Sequence, residues 1–594
     1  MSMMKASIQQ FLNISRALSE EKKFDNLLEL ILSEAKGVSG AIAGAVTLRS
    51  QDDRLLEVTI LHNDRTGSRL GGTSSKRVPF EPIRLQGKAA DRQKKTSVLQ
   101  HVISSGEMVQ VEDVETDDRF DYQEVCSWFD SDDFRSRSLL IVPLSNQKRE
   151  RIGTLQLLNL NRGISPGQVF RTEIVSYIEA LCSDAAVALD NRRLLQAQRD
   201  LIDSIIHLIA GSIDAKSPYT SKHCQRVPVL VEMLADAAQA TEEGPFGDFS
   251  LTEEEKYALH LAGWLHDCGK VTTPEYVVDK ATKLETLCNR IHEVRMRFEV
   301  LWRDAQIAFY RGVLDAPDHY VVLSKALKAR LKAIQEDYSF VAQCNIGGEF
   351  MSDEQLKRLN RIAKQPWTRH LDDRIGISHE ELERKMRTPQ PELPVRERVL
   401  DDKPEHLVFR SENHNPLGRN PEEFTMDVPE YLYNYGEMTN LSIAKGTLTT
   451  EERFVINSHI VQTIRMLRAL PLPRELAQVP DWAGNHHESF CGTGYPRGLL
   501  GKELSIPERM LAVADVFEAL TASDRPYKPA RKLSETLWMM SEMCQKGHLC
   551  RDTFALLLKS GVFRSYADAY INSEQLDEVD VSAILAQTKA IECT

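Results

Sequence analysis

Two short strings constrain this chain more than anything else in it: H-D-C-G-K at 266–270 and H-H-E-S-F-C-G-T-G-Y-P at 486–496. The first sets His266 beside Asp267 and adds Lys270. The second sets His486 beside His487 and ends in a Gly-Tyr-Pro turn. Imidazoles with carboxylates suit Zn, Fe or Mn at a hydrolytic centre, and a nearby lysine supplies positive charge for a phosphate. A fold that uses both strings at once must bring distant parts of the chain to one point.

The chain has 594 residues, which argues for two to four domains rather than one core. Hydrophobic residues make up 42% and charged residues 27%, the balance of a water-soluble globular protein. The formal net charge of −13 argues against broad nucleic-acid binding. No run reaches the roughly 20 apolar residues of a membrane span, and the opening M-S-M-M-K-A-S-I-Q-Q lacks a secretory layout. The expectation is a cytoplasmic protein with no membrane segment. The ten cysteines form no C-x-x-C pair and are expected to be reduced thiols.

Apolar spacing predicts a helix over Phe11–Ala35, paired strands at Ala41–Leu48 and Leu55–His62, and a second pair at Leu139–Leu144 and Gly153–Asn159 around the charged turn Lys148–Arg151. This is an α+β sheet domain. The segment I-G-T-L-Q-L-L-N-L-N at 152–161, followed by a long helix, resembles the last strand and exit of GAF sensor domains. The GAF-like domain is assigned to 8–172. Only Asn161 and Phe170 match a cyclic-nucleotide GAF signature, so the sensor's ligand stays unknown. A connecting helix follows at 173–212. Its 4,3 stripe runs Ile174, Ile178, Leu181, Ala185, Ala188, Arg192, Leu195, Arg199, Ile202, Ile206 and Ile209. Such a stripe can pair two copies as a parallel coiled coil and make a homodimer, or pack on its own domain.

Beyond the connecting helix, Thr252 and Glu255 predict a capping box opening a helix that ends at His266 and Asp267. Gly269 is expected to turn the chain with positive φ, and Gly494 to hold a backbone conformation that other residues avoid. Five strings occur in order: Y-T-S-K-H-C-Q-R-V (219–227), H-D-C-G-K, L-T-T-E-E-R-F-V-I-N-S-H (448–459), H-H-E followed by G-T-G-Y-P-R-G-L, and A-D-V-F-E-A-L-T-A-S-D-R-P-Y-K (514–528). Together they resemble the HD superfamily of metal phosphohydrolases, and within it the HD-GYP group. The resemblance implies an all-α catalytic domain from 213–299 and 446–535, a large insertion at 300–445 and a C-terminal helical extension at 536–594.

It also implies roles. His266, Asp267, His459, His486, His487 and Asp515 would hold two divalent metal ions, with Fe or Mn favoured and Asp267 bridging. His223 is a further candidate ligand. Tyr219 stands where some members carry a glutamate and a third metal. His292 competes with His459 for the middle position, but only His459 follows the full L-T-x-E-E pattern. Asp267 and Lys270 would be catalytic. Lys270, Arg525, Lys528, Gly494 and Tyr495 would line the substrate site, with Tyr495 as a packing residue. Two cations so held can activate water against phosphorus and stabilise the leaving oxygen. The implied activity is hydrolysis of a cyclic dinucleotide, cyclic di-GMP, to pGpG, which many members of the group carry on to GMP, under GAF control. The alternatives are a catalytically silent cyclic-dinucleotide receptor, or an HD phosphohydrolase acting on another nucleotide.

Overall fold

The structure, a computed structural model, describes residues 12–588 apart from 22, 51, 86–94, 132–133, 161–169, 217–222, 348–349, 412–416, 418–422 and 523–530. Tyr219, Asn161, Arg525 and Lys528 therefore lie outside the described residues. The chain divides into two compact units, Met1–Asp203 and Ser204–Thr594.

The first unit is built on an antiparallel sheet. Its strands are β1 (Ala41–Arg49), β2 (Leu55–Asn63), β3 (Ser68–Gly71), β4 (Ile83–Arg84), β5 (Val109–Val111), β6 (Leu139–Ser145) and β7 (Arg151–Leu160), in the order β3-β2-β1-β7-β6-β5 with β4 also beside β2. Both expected pairs form, with Val46 opposite Ile60 and Val142 opposite Leu155. The strands are apolar on both faces because both faces are covered. The helix Phe24–Ser39 and the start of the long helix bury Leu28, Ile31, Leu32, Ile178 and Leu181 against Val46, Leu155 and Leu157. The helices Val98–Ser105 and Gln123–Phe129 close the other face around Ala43, Leu61 and Ile141. The single helix expected over Phe11–Ala35 is in fact two, at 12–20 and Phe24–Ser39, and the second ends on Gly40 at φ 71°.

The connecting helix runs from Thr172 to Lys216. Its stripe is not one continuous seam. Ile178, Leu181 and Ala185 are buried in the core of their own sheet domain. Beyond them the stripe's Leu195 is 50% exposed while its Ile206 is buried, and the flanking Leu194, Leu201, Ile205 and Leu208 are 48–70% exposed. No helix among the described residues is long and apolar enough to cross a membrane.

The second unit is mostly helical. The helices His223–Gln239, Glu253–Leu265, His459–Arg468, Val479–Gly484 and Ile506–Thr521 surround the two strings. Between them the chain leaves as a helical hairpin, Ile291–Asp315 and Tyr320–Ile346, whose base is packed by Leu284, Val294, Phe298, Ile334, Val341 and Leu441. It returns close to where it left. Lys283 Nζ donates to the carbonyls of Leu441 and Ile443 at 3.0 and 2.7 Å, and Thr447 Oγ1 donates to the Lys280 carbonyl at 3.0 Å. Closing so long a loop costs little more than closing a short one. The polar stretch in between also carries two hairpins that composition alone did not suggest, Pro366–Arg369 with Val395–Arg398 and Leu407–Phe409 with Tyr431–Asn434. The helices Leu533–Gln545, Arg551–Lys559, Val562–Tyr570 and Val581–Gln587 complete the unit.

Candidate metal centre

The helix Glu253–Leu265 begins on the capping box its sequence predicts. Glu255 N donates to Thr252 Oγ1 at 3.2 Å and Thr252 N donates to Glu255 Oε2 at 2.8 Å. It ends at His266, which is fully buried, with Asp267 beside it at 2% exposure. A second capped helix, Thr450–Asn457, leads into His459. A short helix, Val479–Gly484, delivers His486 and His487.

Three of these histidines are oriented by one device. The Nδ1–H of His266 donates to the Gly263 carbonyl at 2.7 Å, that of His459 to Ile456 at 2.6 Å, and that of His486 to Ala483 at 2.7 Å. Each bond runs to the residue three positions back, so each helix end fixes its own imidazole. With Nδ1 as donor, Nε2 keeps its lone pair and turns inward, the tautomer a metal needs. Burial, and the neighbouring His266, lower the pKa of His486 to about 4. Burial, with His486 and His459, lowers that of His487 well below the usual range. Both are neutral ligand-form imidazoles.

The inward atoms gather in two overlapping clusters. Ligand atoms of Asp267, His459, His486 and His487 lie within 4.8 Å of one another, as do those of His223, His266 and Asp267. Asp267 belongs to both. Asp515 closes the second, 3.1 Å from His223 Nε2 and 3.7 Å from His266 Nε2. Lys270 Nζ donates to Asp267 Oδ2 at 2.5 Å. Exposed His292, at the start of the hairpin, belongs to neither cluster.

These residues fit a cation. His459 Nε2 faces Asp267 Oδ1 at 3.1 Å, yet neither atom has a hydrogen-bond partner, and His486 Nε2 has none. Two lone pairs facing each other in a buried site repel unless a positive charge lies between them. A mixed imidazole and carboxylate set accepts Fe, Mn or Zn equally in kind.

Two positioning residues escaped sequence reasoning. Glu518 Oε2 accepts from His223 Nδ1 at 2.5 Å and so aims His223 at the site. It stands three residues after Asp515, on the same helix face, which was the available signal. Thr463 ties the two halves together. Its Oγ1 accepts from Gly269 N at 2.9 Å and donates to the His266 carbonyl at 3.2 Å.

Both glycine expectations need correction. Gly269 and Gly494 are absent from the positive-φ residues, whereas Gly492 is among them at 73°. What they provide is close approach. A Cβ on Gly269 would sit 1.9 Å from the His459 carbonyl oxygen, and one on Gly494 would sit 2.2 Å from Ser489 N. Tyr495 stacks on His487, with ring centroids 4.9 Å apart. The turn around it is organised by buried Glu488, which accepts from the backbone of Arg497 at 2.7 Å and of Leu499 at 2.9 Å. Among the described residues eight cysteines are free thiols. Cys491 is disulfide-bonded, contrary to the expectation of reduced thiols throughout.

A buried ion pair braces the His459 helix. Lys280 Nζ meets Glu452 Oε2 at 2.8 Å, with both side chains at most 2% exposed. Glu452 also caps Thr449 N at 2.9 Å. Replacing Lys280 with Met leaves a buried, unpaired carboxylate. The expected loss of stability is about 3–5 kcal/mol, measurable by urea unfolding of the full chain. A change under 1 kcal/mol would contradict the bracing role.

Residues 21–190 match the GAF domain family and residues 394–551 the HD domain family. The second match contains His459, His486, His487 and Asp515. His266 and Asp267 precede it and join the others only through folding. The chain is 43% identical over 82 residues to 3′3′-cGAMP-specific phosphodiesterase 1 of Vibrio cholerae, covering 14% of this chain and 19% of that one. It is 39% identical over 97 residues to 3′3′-cGAMP-specific phosphodiesterase 3 of the same organism, covering 16% and 20%. It is 36% identical over 135 residues to a cyclic di-GMP phosphodiesterase of Pseudomonas aeruginosa, covering 23% and 31%. The chain thus spans between a fifth and a third of the length of these relatives. The chain thus joins a segment that matches the GAF domain family to one that matches the HD domain family, and is similar, in part, to cyclic dinucleotide phosphodiesterases.

Proposed function

We propose that this chain is a metal-dependent phosphodiesterase that opens cyclic di-GMP to pGpG, in the cytoplasm and under the control of its GAF domain. The observation that supports this most is the convergence of Asp267 with His223, His266, His459, His486 and His487 on one buried point. His459, His486, His487 and Asp267 would hold one cation, and His223, His266, Asp515 and Asp267 the other, with Fe or Mn favoured. Bound there, the cations supply Lewis acidity and an activated water for attack on phosphorus. Asp267, common to both groups, would be the shared ligand. Lys270 brings its ammonium to the rim of the cluster, where it neutralises a phosphate oxygen as a point charge. Arg525 and Lys528 add the remaining positive charge. Tyr495 and the Gly494 turn wall the mouth and keep His487 in place. We read 300–445 as an insertion within the HD domain, and the exposed apolar face of the connecting helix beyond Leu194 as the contact between two copies.

Because two of the relatives are named for 3′3′-cGAMP, that compound is the second substrate to test. The full-length chain, reconstituted without oxygen with Fe(II) or Mn(II), is incubated with each, and the products are separated by chromatography. Linear pGpG from cyclic di-GMP is expected. Faster turnover of 3′3′-cGAMP would reassign the substrate. Tight binding of both with no product would make the protein a receptor.

The metal-free site also makes a prediction about protons. Burial opposes charge on His223, but the hydrogen bonds it donates to the Asp267, Asp515 and Glu518 carboxylates outweigh it and raise its pKa well above the ordinary value. His223 therefore carries a proton at neutral pH until a cation displaces it. Calorimetric titration with Mn(II) in two buffers of different ionisation enthalpy should show proton release. Identical heats in both buffers would contradict it.

A further inference from the structure

A second cavity lies away from the metal centre. The base of the helical hairpin and the polar stretch after it enclose a cavity of about 870 Å³. This is within the range of sites that bury a small ligand. None of the cluster residues lines it. Its walls combine planar rings, Tyr276, Trp367 and Tyr435, with basic side chains that include Arg290 and Arg384.

The cavity also holds carboxylates, but the innermost are already engaged. Arg297 Nη1 pairs with Glu437 at 2.8 Å, Arg369 Nη2 with Glu397 at 3.1 Å and Lys385 Nζ with Asp373 at 2.9 Å. Arg290 and Arg384 differ. Among the described residues neither has a carboxylate within 4.0 Å, and each keeps a buried Nε–H with no acceptor. Arg290 is anchored, because its Nη1 donates to the Tyr435 carbonyl at 2.7 Å and its Cζ lies 5.8 Å from the centre of the Tyr435 ring. Arg384 lines the same cavity as Tyr435. Two guanidinium groups, one already oriented, thus face one cavity with donors to spare. Buried donors of this kind are costly unless an acceptor completes them. A phosphate matches the planar fork of a guanidinium, and the rings offer faces for a base.

We infer that this cavity binds a nucleotide, with Arg290 and Arg384 holding the phosphates and Trp367 stacking on the base. The site is independent of turnover and stands or falls apart from the phosphodiesterase reading.

The test uses the full-length chain carrying Asp267→Ala, so that the metal centre contributes no binding. Equilibrium dialysis with GMP and GTP measures affinity, and inorganic phosphate serves as the probe without a ring. The expected result is saturable nucleotide binding, weakened at least tenfold by Arg384→Gln and at least tenfold by Trp367→Ala, with phosphate at least tenfold weaker than either nucleotide. Arg384 and Trp367 are only half-buried, so both variants are expected to fold, which circular dichroism checks. Absence of saturable binding at millimolar nucleotide overturns the inference, as does unchanged binding in both variants. Weakening by Arg384→Gln alone, or phosphate competing as well as GMP, overturns the assignment to a nucleotide.

Discussion

Replacing Asp267 with Ala is expected to empty the metal centre and lower the rate of cyclic dinucleotide hydrolysis by about a thousandfold or more. The size of the effect follows from position. Asp267 is the one residue common to both ligand clusters. Its Oδ1 lies 3.1 Å from His459 Nε2, and its Oδ2 lies 3.3 Å from His266 Nε2 and 3.5 Å from His223 Nε2. Burial works against its charge, but Lys270 and His266 hold its pKa well below the ordinary carboxylate value, so the negative charge is in place across the physiological range. Alanine removes that charge, and with it the ligand that both imidazole clusters share. Loss should appear in metal content as well as rate. Full metal with lost turnover would make Asp267 a catalytic group and not a ligand.

Gly269→Ala is expected to do comparable damage without touching a ligand. Its added Cβ would fall 1.9 Å from the His459 carbonyl and 2.6 Å from Thr463 N, both backbone atoms that cannot rotate away. The His459 helix must then withdraw from the end of the His266 helix. The expected cost is about 3 kcal/mol, at the upper end of overpacking effects, with a loss of bound metal alongside it. Gly211→Ala is the matched control. Gly211 lies within the long helix with nothing inside 4 Å of a Cβ, so alanine there should be neutral or stabilising by up to about 1 kcal/mol. Urea unfolding and metal analysis of both variants check the pair. Equal behaviour would show that close approach at Gly269 is not what holds the two helices together.

How much of this was legible in the sequence depends on the range of the interaction. Thr252 with Glu255 announced a helix start, and His266 with Asp267 announced its chemistry, because capping and ligand type are local properties. The sheet pairs were legible because two covered faces make strands apolar throughout, as in Leu139–Leu144. The role of Gly269 was misread because one letter serves two purposes, positive φ and close approach, and only the neighbouring helix decides which. Glu518 and Thr463 were missed for the same reason: each acts on a partner about two hundred residues or more away. The stripe over 174–209 left two partners open, a second copy or its own domain, because periodicity does not say which surface fills it. The sheet domain takes the first part, up to Leu189. The strands around Trp367 and Tyr431 are four residues long, too short for alternation to stand out from a polar loop.

The account rests on distant imidazoles and carboxylates holding cations at one buried point. Metal analysis of the full-length chain purified without oxygen, with X-ray absorption at the edge of whichever metal is found, tests this most directly. The account predicts two divalent ions per chain with several imidazole ligands and no sulfur, and near-complete loss in Asp267→Ala. A chain that binds no metal, or one whose metal content is unaffected by Asp267→Ala, would contradict it.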